Sequence, residues 1–346
     1  MNKIINNNKV KIFFGILITS FIVQGLFLPK NSQETTDKIF FIQKRESAFN
    51  ISERLEKNEL VESSFLFNLY IFVSGNYTNL QAGQYFLNQN MNVIQIAQKI
   101  IKGETAKDII TIPEGWNLRD IAWFFENKGF FQAEEVLEIT GFPAIDYSTI
   151  NDLPDLKDYK GYDFLQNKPQ NISLEGYLFP DTYELEKNFS VEDFIKKTLD
   201  NFSRKIDQNL NQEIEKQNKT IFEIITMASL IEREAREVED KEIVSGILWK
   251  RLENNIPLQV DATILYFTGK TTTILKDDLN ANSPYNTYQN RGLPLGPICN
   301  PGMESILASV NPQSSDYWYY LSTPQGEIIF SKTLNEHNIA KAKYLN

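Results

Sequence analysis

Apolar residues are distributed along this chain in five regimes. Residues 12–28, IFFGILITSFIVQGLFL, form an unbroken apolar run with no charge and only Thr19, Ser20 and Gln24 as polar members. A polar stretch, NSQETTD over 31–37, follows. From there to about residue 145 short alternating runs give way to helical spacing. Beyond a polar, loop-rich stretch at 146–171 carrying Pro154, Gly161 and Pro169, helical patterns rich in Glu, Lys, Leu and Ile cover 191–217 and 220–254. The last 60 or so residues are rich in Pro, Gly, Asn and aromatics, and end with a predicted hairpin, YWYYLSTPQGEIIF, turning at PQG.

The region between residues 38 and 145 contains a repeat. KIFFIQKRESAFNISERLEKNELV matches DIITIPEGWNLRDIAWFFENKGFF after a shift of about 70 positions. Phe40 and Ile42 fall opposite Ile110 and Ile112, Ile51 opposite Ile121, Leu55 opposite Phe125 and Leu60 opposite Phe130. Each copy predicts a strand, a turn and an amphipathic helix, the two being separated by helices and a hairpin around Gly83. That arrangement resembles LysM-type modules, which grip N-acetylated glycans; a plain structural spacer is the alternative.

The apolar run is near the lower limit of roughly 17 to 25 residues for crossing a bilayer. Lys3, Lys9 and Lys11 precede it, and positive flanks favour a cytoplasmic amino terminus. The expected order is a cytoplasmic end at 1–11, a transmembrane anchor at 12–28, a linker at 29–37, a LysM-like region at 38–145 and a carboxy-terminal domain at 146–346. The fold class is α+β, with that last domain on the outer side of the membrane. A cleaved signal peptide is the alternative, but no Ala-x-Ala-like site follows the run.

Composition narrows the chemistry. A formal net charge of -10 over 346 residues argues against a nucleic-acid partner, which needs clustered Lys and Arg. Cys299 is the sole cysteine and His337 the sole histidine, which excludes disulfides within the chain, cysteine-based metal knuckles, zincin helices and most transition-metal sites. Carboxylates, hydroxyls and amides remain. In TIFEIITMASLIEREAREVED, helical spacing gathers Ile221, Ile224, Ile225, Ala228, Ile231 and Ala235 into one apolar sector, and Glu232 falls inside it. A carboxyl among apolar neighbours holds its proton and can give it to a glycosidic oxygen. The alternative is a buried ion pair with Arg233, Arg236 or Arg251.

Several ordered segments carry a resemblance: LEGYLFPDTYEL from Leu174, MASLIEREAR from Met227, LQVDATILYF from Leu258, SPYNTYQNRGLPLGPICNPGM from Ser283 and FSKTLNEHN from Phe330. Together they resemble the endolytic murein transglycosylase family, also called YceG-like. The resemblance implies a lytic transglycosylase acting inside peptidoglycan strands, with Glu232 as its acid and base and no metal or organic cofactor. It also implies the wall-synthesis glycan polymerases, including penicillin-binding proteins, as partners. Ala262 and Leu295 stand where the pattern expects proline, which bears on loop shape.

Substrate contacts are expected from Tyr177, Tyr183, Gln259, Asp261, Tyr285, Asn286 and Asn300. For the tyrosines of the GYLFPDTY motif the alternative is core packing, and for Asp261 a helix cap. Glu175 is a further carboxylate with nothing local to mark it as buried. A hydrolytic muramidase using Glu232 with Asp261 or Glu175, and a silent wall-binding scaffold, are the rival functions.

Overall fold

The computed structural model describes residues 2–150, 159 and 161–345, with side chains from residue 13 onward. Pro154 and the side chains of the expected cytoplasmic end lie outside the described residues. The chain forms two compact units, Met1–Ile109 with Glu184–Phe189, and Ile110–Tyr183 with Ser190–Asn346.

The first unit contains α1 (Asn2–Phe27), β1 (Lys38–Ile42), α2 (Ala48–Lys57), α3 (Ser64–Val73), β2 (Gly83–Leu87) and α4 (Val93–Lys102). Alternation in KIFFI turns Phe40 and Ile42 inward, where they join Ile51, Leu55, Phe67, Ile71, Tyr85 and Ile96 in one core. Ser47 caps α2, and Asn92 with Gln95 forms a reciprocal capping box on α4. No local hairpin forms around Gly83: it opens β2, which pairs antiparallel with β1, Lys38 opposite Leu87 and Ile42 opposite Gly83. The gain is burial of both strands' apolar faces against the helices between them.

The expected anchor is corrected in part. All of its residues but Leu28 lie in α1, which begins about ten positions earlier, inside the polar NKIINNNKVK. Among the described residues no helix is long and apolar enough to cross a membrane. The last turns of α1 dock on their own unit: the Asn92 amide donates to the Phe27 carbonyl at 3.1 Å, and Leu66 fills the space that a side chain on Gly25 would need.

In the second unit come α5 (Leu118–Asn127), α6 (Ala133–Thr140), α7 (Val191–Lys205), α8 (Gln208–Lys216), α9 (Ile221–Glu234), α10 (Val238–Glu253), α11 (Asp261–Thr268), α12 (Met303–Val310), β5 (Tyr319–Ser322), β6 (Ile328–Ser331) and α13 (Leu334–Tyr344). Two further strands, β3 (Lys107–Thr111) and β4 (Thr182–Glu186), pair with each other, and the division between units falls inside both. The two long helical patterns are each broken once. Asp207 caps α8, and extended backbone at Ala235 ends α9 before Glu237 starts α10. The carboxy-terminal hairpin forms as expected, with Tyr319 opposite Ser331 and Gly326 at φ 90° in the turn.

All six residues of the apolar sector of α9 are buried, and so are Thr226, Met227, Ser229 and Leu230 on its other sides. This is a central helix, with α12 and α10 packed against it. Thr220 and Glu223 form its capping box, so its start is fixed locally.

Gly246 in α10 tests that packing, because a Cβ there would lie 2.0 Å from the backbone carbonyl oxygen of Gln313, an atom that cannot swing aside. Gly246→Ala should gain about 1 kcal/mol of helix propensity and lose more by overpacking. Urea melts should therefore show a net destabilisation of about 1–2 kcal/mol; a stabilised variant would mean the segment after α12 is not held there.

Candidate active site

The site is built where two chain segments meet the end of α9. Glu232 lies on the last turn of that helix with its side chain 10% exposed. Its Oε2 accepts the backbone N–H of Gly302 at 3.1 Å and the hydroxyl of Ser305 at 2.6 Å. Gly302 is the N-cap of α12, so the carboxylate sits at the positive end of that helix's dipole. Lys241 Nζ, 4% exposed, is 3.8 Å from the same oxygen and 3.4 Å from Oε2 of Glu304.

This corrects the expected surroundings of Glu232. The helical wheel places it correctly on the inward sector, but at the helix end that sector meets an N–H, a hydroxyl and an ammonium instead of apolar side chains. The cation is Lys241, from the next helix, and not one of the three arginines. Arg233 donates to the Gly115 carbonyl at 3.2 Å, and Arg251 donates to Oε1 of Gln259 at 2.7 Å.

Glu114, from the Pro-Glu-Gly turn after β3, completes the site. Its carboxylate occupies the space beside Gly302 where a side chain would start: a Cβ on Gly302 would lie 2.1 Å from Glu114 Cδ and Oε1. Gly115 next to it has φ +77°, a left-handed conformation that favours glycine, and a Cβ there would be 3.6 Å from Glu232 Cγ. Burial, followed by the charges of Glu232 and Glu304, pushes the Glu114 carboxyl above the usual range, and Lys241 opposes them.

Behind the site lies a buried polar network. Asn300 Oδ1 accepts the Leu178 N–H at 2.9 Å, while its Nδ2 donates to the Trp116 carbonyl at 2.9 Å and to Glu175 Oε1 at 3.4 Å. The backbone of Asn300 also exchanges bonds with Trp116 and Gly115, at 2.8 and 2.9 Å. Glu175 is 1% exposed and accepts from the Leu118 N–H at 3.1 Å and from the Tyr266 hydroxyl at 3.0 Å. Burial outweighs those bonds and pushes its carboxyl up to about 8. The sequence carries no local mark of this, because the enclosing groups come from three distant segments, at Leu118, Tyr266 and Asn300.

The expected substrate contacts divide by exposure. Tyr177 is fully buried, its ring stacked on Phe164 and packed on Phe202. Tyr183 is buried, donating to the Phe179 carbonyl and accepting from Asn201. The Tyr285 ring packs 5.1 Å from that of Tyr266. Asn286, buried, donates to the carbonyls of Leu279 and Ala281 and accepts the Tyr288 N–H, closing its own loop. With Asn300, these residues shape the walls and offer a sugar almost no surface.

Gln259 and Asp261 are exposed. They do not alternate along an extended segment, because Gln259 takes φ 55°. Asp261 is the first residue of α11, one place beyond the N-cap Val260, and accepts from the Tyr288 hydroxyl. Glu234 lies beside this pair; burial, then the Asp261 charge, pushes its carboxyl up to about 7. The thiol of Cys299 is buried, donating to the Ser229 carbonyl at 3.3 Å. Among the described residues, no group of three or more His, Cys, Asp or Glu side chains is placed to hold a metal ion.

Sequence reasoning missed Glu114, Lys241, Gly302 and Ser305. The Pro-Glu-Gly turn directly after the second repeat's strand was the available signal for Glu114. Lys241 and Ser305 occupy ordinary helical positions and gave none.

Fold and site together define an α+β protein with a carboxylate-centred site at a junction of helix ends. The chain belongs to the YceG-like family, whose model matches residues 40–343. It is 36% identical over 327 residues to the endolytic murein transglycosylase of Bacillus subtilis (strain 168), spanning 93% of this chain and 89% of that protein. A Streptococcus pneumoniae serotype 2 protein of the same description is 31% identical over 326 residues, or 86% of this chain and 56% of the relative. The crystal structure of a yceG-like protein from Listeria monocytogenes superposes with a TM-score of 0.58 at 34% identity, covering 88% of this chain and 99% of that one.

Glu175 and Glu234 both keep a proton in the folded chain over a range where the unfolded chain has lost it, from the ordinary carboxyl value of 4.5 up to about 8 and about 7. Stability should therefore fall as pH rises from 4.5 and level off above about 8. Glu175→Gln removes its share, so the variant should gain on the wild type in thermal melts taken between pH 5 and pH 8. Parallel melting curves across that range would show that Glu175 is ionised in the folded chain.

Proposed function

We propose that this chain is an endolytic murein transglycosylase. It cuts peptidoglycan strands between N-acetylmuramic acid and N-acetylglucosamine and leaves a 1,6-anhydro-muramic end. The observation that carries the reading is the coincidence on Glu232. The carboxylate given by the family pattern is also the one addressed by a helix N-terminus, a hydroxyl and a lysine.

Gly302, Ser305 and Lys241 all engage Oε2, which leaves Oε1 to carry the transferable proton. That proton passes to the glycosidic oxygen as its bond to the muramic anomeric carbon breaks. The muramic C6 hydroxyl oxygen then bonds to the anomeric carbon and returns its proton to the Glu232 carboxylate. One carboxylate serves both steps because the nucleophile belongs to the substrate. The three groups on Oε2 stabilise the anion formed between the steps. A hydrolytic route through Glu175 is disfavoured, since that carboxyl is enclosed by Leu118, Tyr266 and Asn300.

The reading extends to place and partners. We infer that α1 holds the chain at the membrane with its amino end in the cytoplasm and the second unit on the wall side. Supporting this are the exposed side chains of Phe13, Phe14, Ile16, Leu17, Ile18 and Phe21, together with the preceding lysines. The β1-α2-α3-β2 arrangement supports a LysM-like, glycan-gripping role for the first unit. A cutter placed there would meet nascent strands, which makes the wall-synthesis glycan polymerases its expected partners.

Glu232→Gln keeps an acceptor for Gly302 and Ser305, and Lys241 keeps Glu304, so its melting temperature should stay close to that of the wild type. Release of anhydro-muropeptides from purified sacculi should fall by about 100-fold to 10,000-fold. Undiminished release would reject Glu232, reducing ends would indicate a hydrolase, and no product from the wild type would leave a wall-binding scaffold. A chain shortened to begin at Asp37 should leave the membrane fraction and still cut glycan; if it stays bound to membranes, the anchor lies outside α1.

A further inference from the structure

We propose that Glu114 is the positioning residue for Glu232, its carboxylate holding the transferable proton on the pair until substrate takes it. This rests on the reading of Glu232 as the acid and base. The first observation is steric. Gly302 has φ -74° and ψ 168°, ordinary extended backbone open to any residue, so its missing side chain is not a conformational need. The missing side chain leaves room for the Glu114 carboxylate, which lies where a Cβ would be, 2.1 Å from Cδ and Oε1 and 2.6 Å from Oε2. Glu232 bonds the N–H of the same residue at 3.1 Å. The two carboxylates thus flank one peptide group.

The second observation is the charge arrangement. Glu114 is faced by Glu232 from α9, Lys241 from α10 and Glu304 from α12, with Arg233 held at the Gly115 carbonyl beside it. The groups facing Oε2 of Glu232 stabilise its anion once it has formed. A like charge beside it supplies the opposing bias. Among the described residues the Glu114 carboxylate accepts no hydrogen bond, so its field is not spent on a local donor. The same repulsion that keeps one proton on the pair at rest makes the deprotonated pair a stronger base, ready to take the C6 hydroxyl proton.

The test compares pH–rate profiles of anhydro-product release for the wild type, Glu114→Gln, Gly302→Ala and Glu232→Gln, with thermal melts on each preparation. Glu114→Gln should melt like the wild type and lose about 10-fold to 100-fold in kcat/KM at neutral pH. Its alkaline fall-off should move to lower pH, because the charge that retained the proton is gone. Gly302→Ala, whose methyl group displaces the Glu114 carboxylate, should shift in the same direction; if it does not fold, Glu114→Gln decides alone. A wild-type profile for Glu114→Gln, or a loss confined to KM with the fall-off unmoved, overturns the proposal. An active Glu232→Gln overturns instead the reading on which it rests.

Discussion

The site depends on how the Asn300 side chain is satisfied. One buried amide joins the 115–118 segment to the GYLF segment and to the loop that leads into α12, with both of its polar atoms engaged. A buried network of this kind is all or nothing. Each partner left unpaired costs about 1–3 kcal/mol, so the three segments hold their places together or not at all. Glu232 itself needs only α9. Its donors and the neighbouring Glu114 need this clasp, because Gly302 lies two residues beyond Asn300 and Glu114 one residue before Gly115.

Under the proposed reaction, the electrostatics of the site are a compromise between its two steps. A general acid that must soon act as a base is poorly served by a purely apolar pocket, which favours only the protonated form, or by a salt bridge, which favours only the anion. Here a helix end, a serine and a lysine address one oxygen of Glu232 and a second carboxylate stands nearby.

Local features were legible in the sequence, and convergence was not. The inward sector of α9 follows from spacing alone, and it suffices to bring Glu232 to the interior. The strands β1 and β3 and the closing hairpin could be read from alternation and turn residues. The nature of the neighbours could not, since Gly302, Ser305 and Glu114 reach Glu232 only through long-range packing. The motifs holding Tyr177, Asn286 and Asn300 led to an expectation of substrate contact, whereas all three side chains are buried. A residue that shapes a wall recurs in a motif as reliably as one that touches the ligand, and only burial separates the two.

The clasp also carries a temporal consequence. Its hydrogen bonds span 122 residues between Leu178 and Asn300 and 184 between Trp116 and Asn300. Closing loops of that length is slow compared with forming a helix, so α9 can be in place well before its partners arrive. A chain emerging amino end first presents Glu232 as a lone carboxylate until residues 300–305 follow it out. Residues 300–305 must follow before the proposed site is assembled, which is a built-in delay between synthesis of Glu232 and completion of its surroundings.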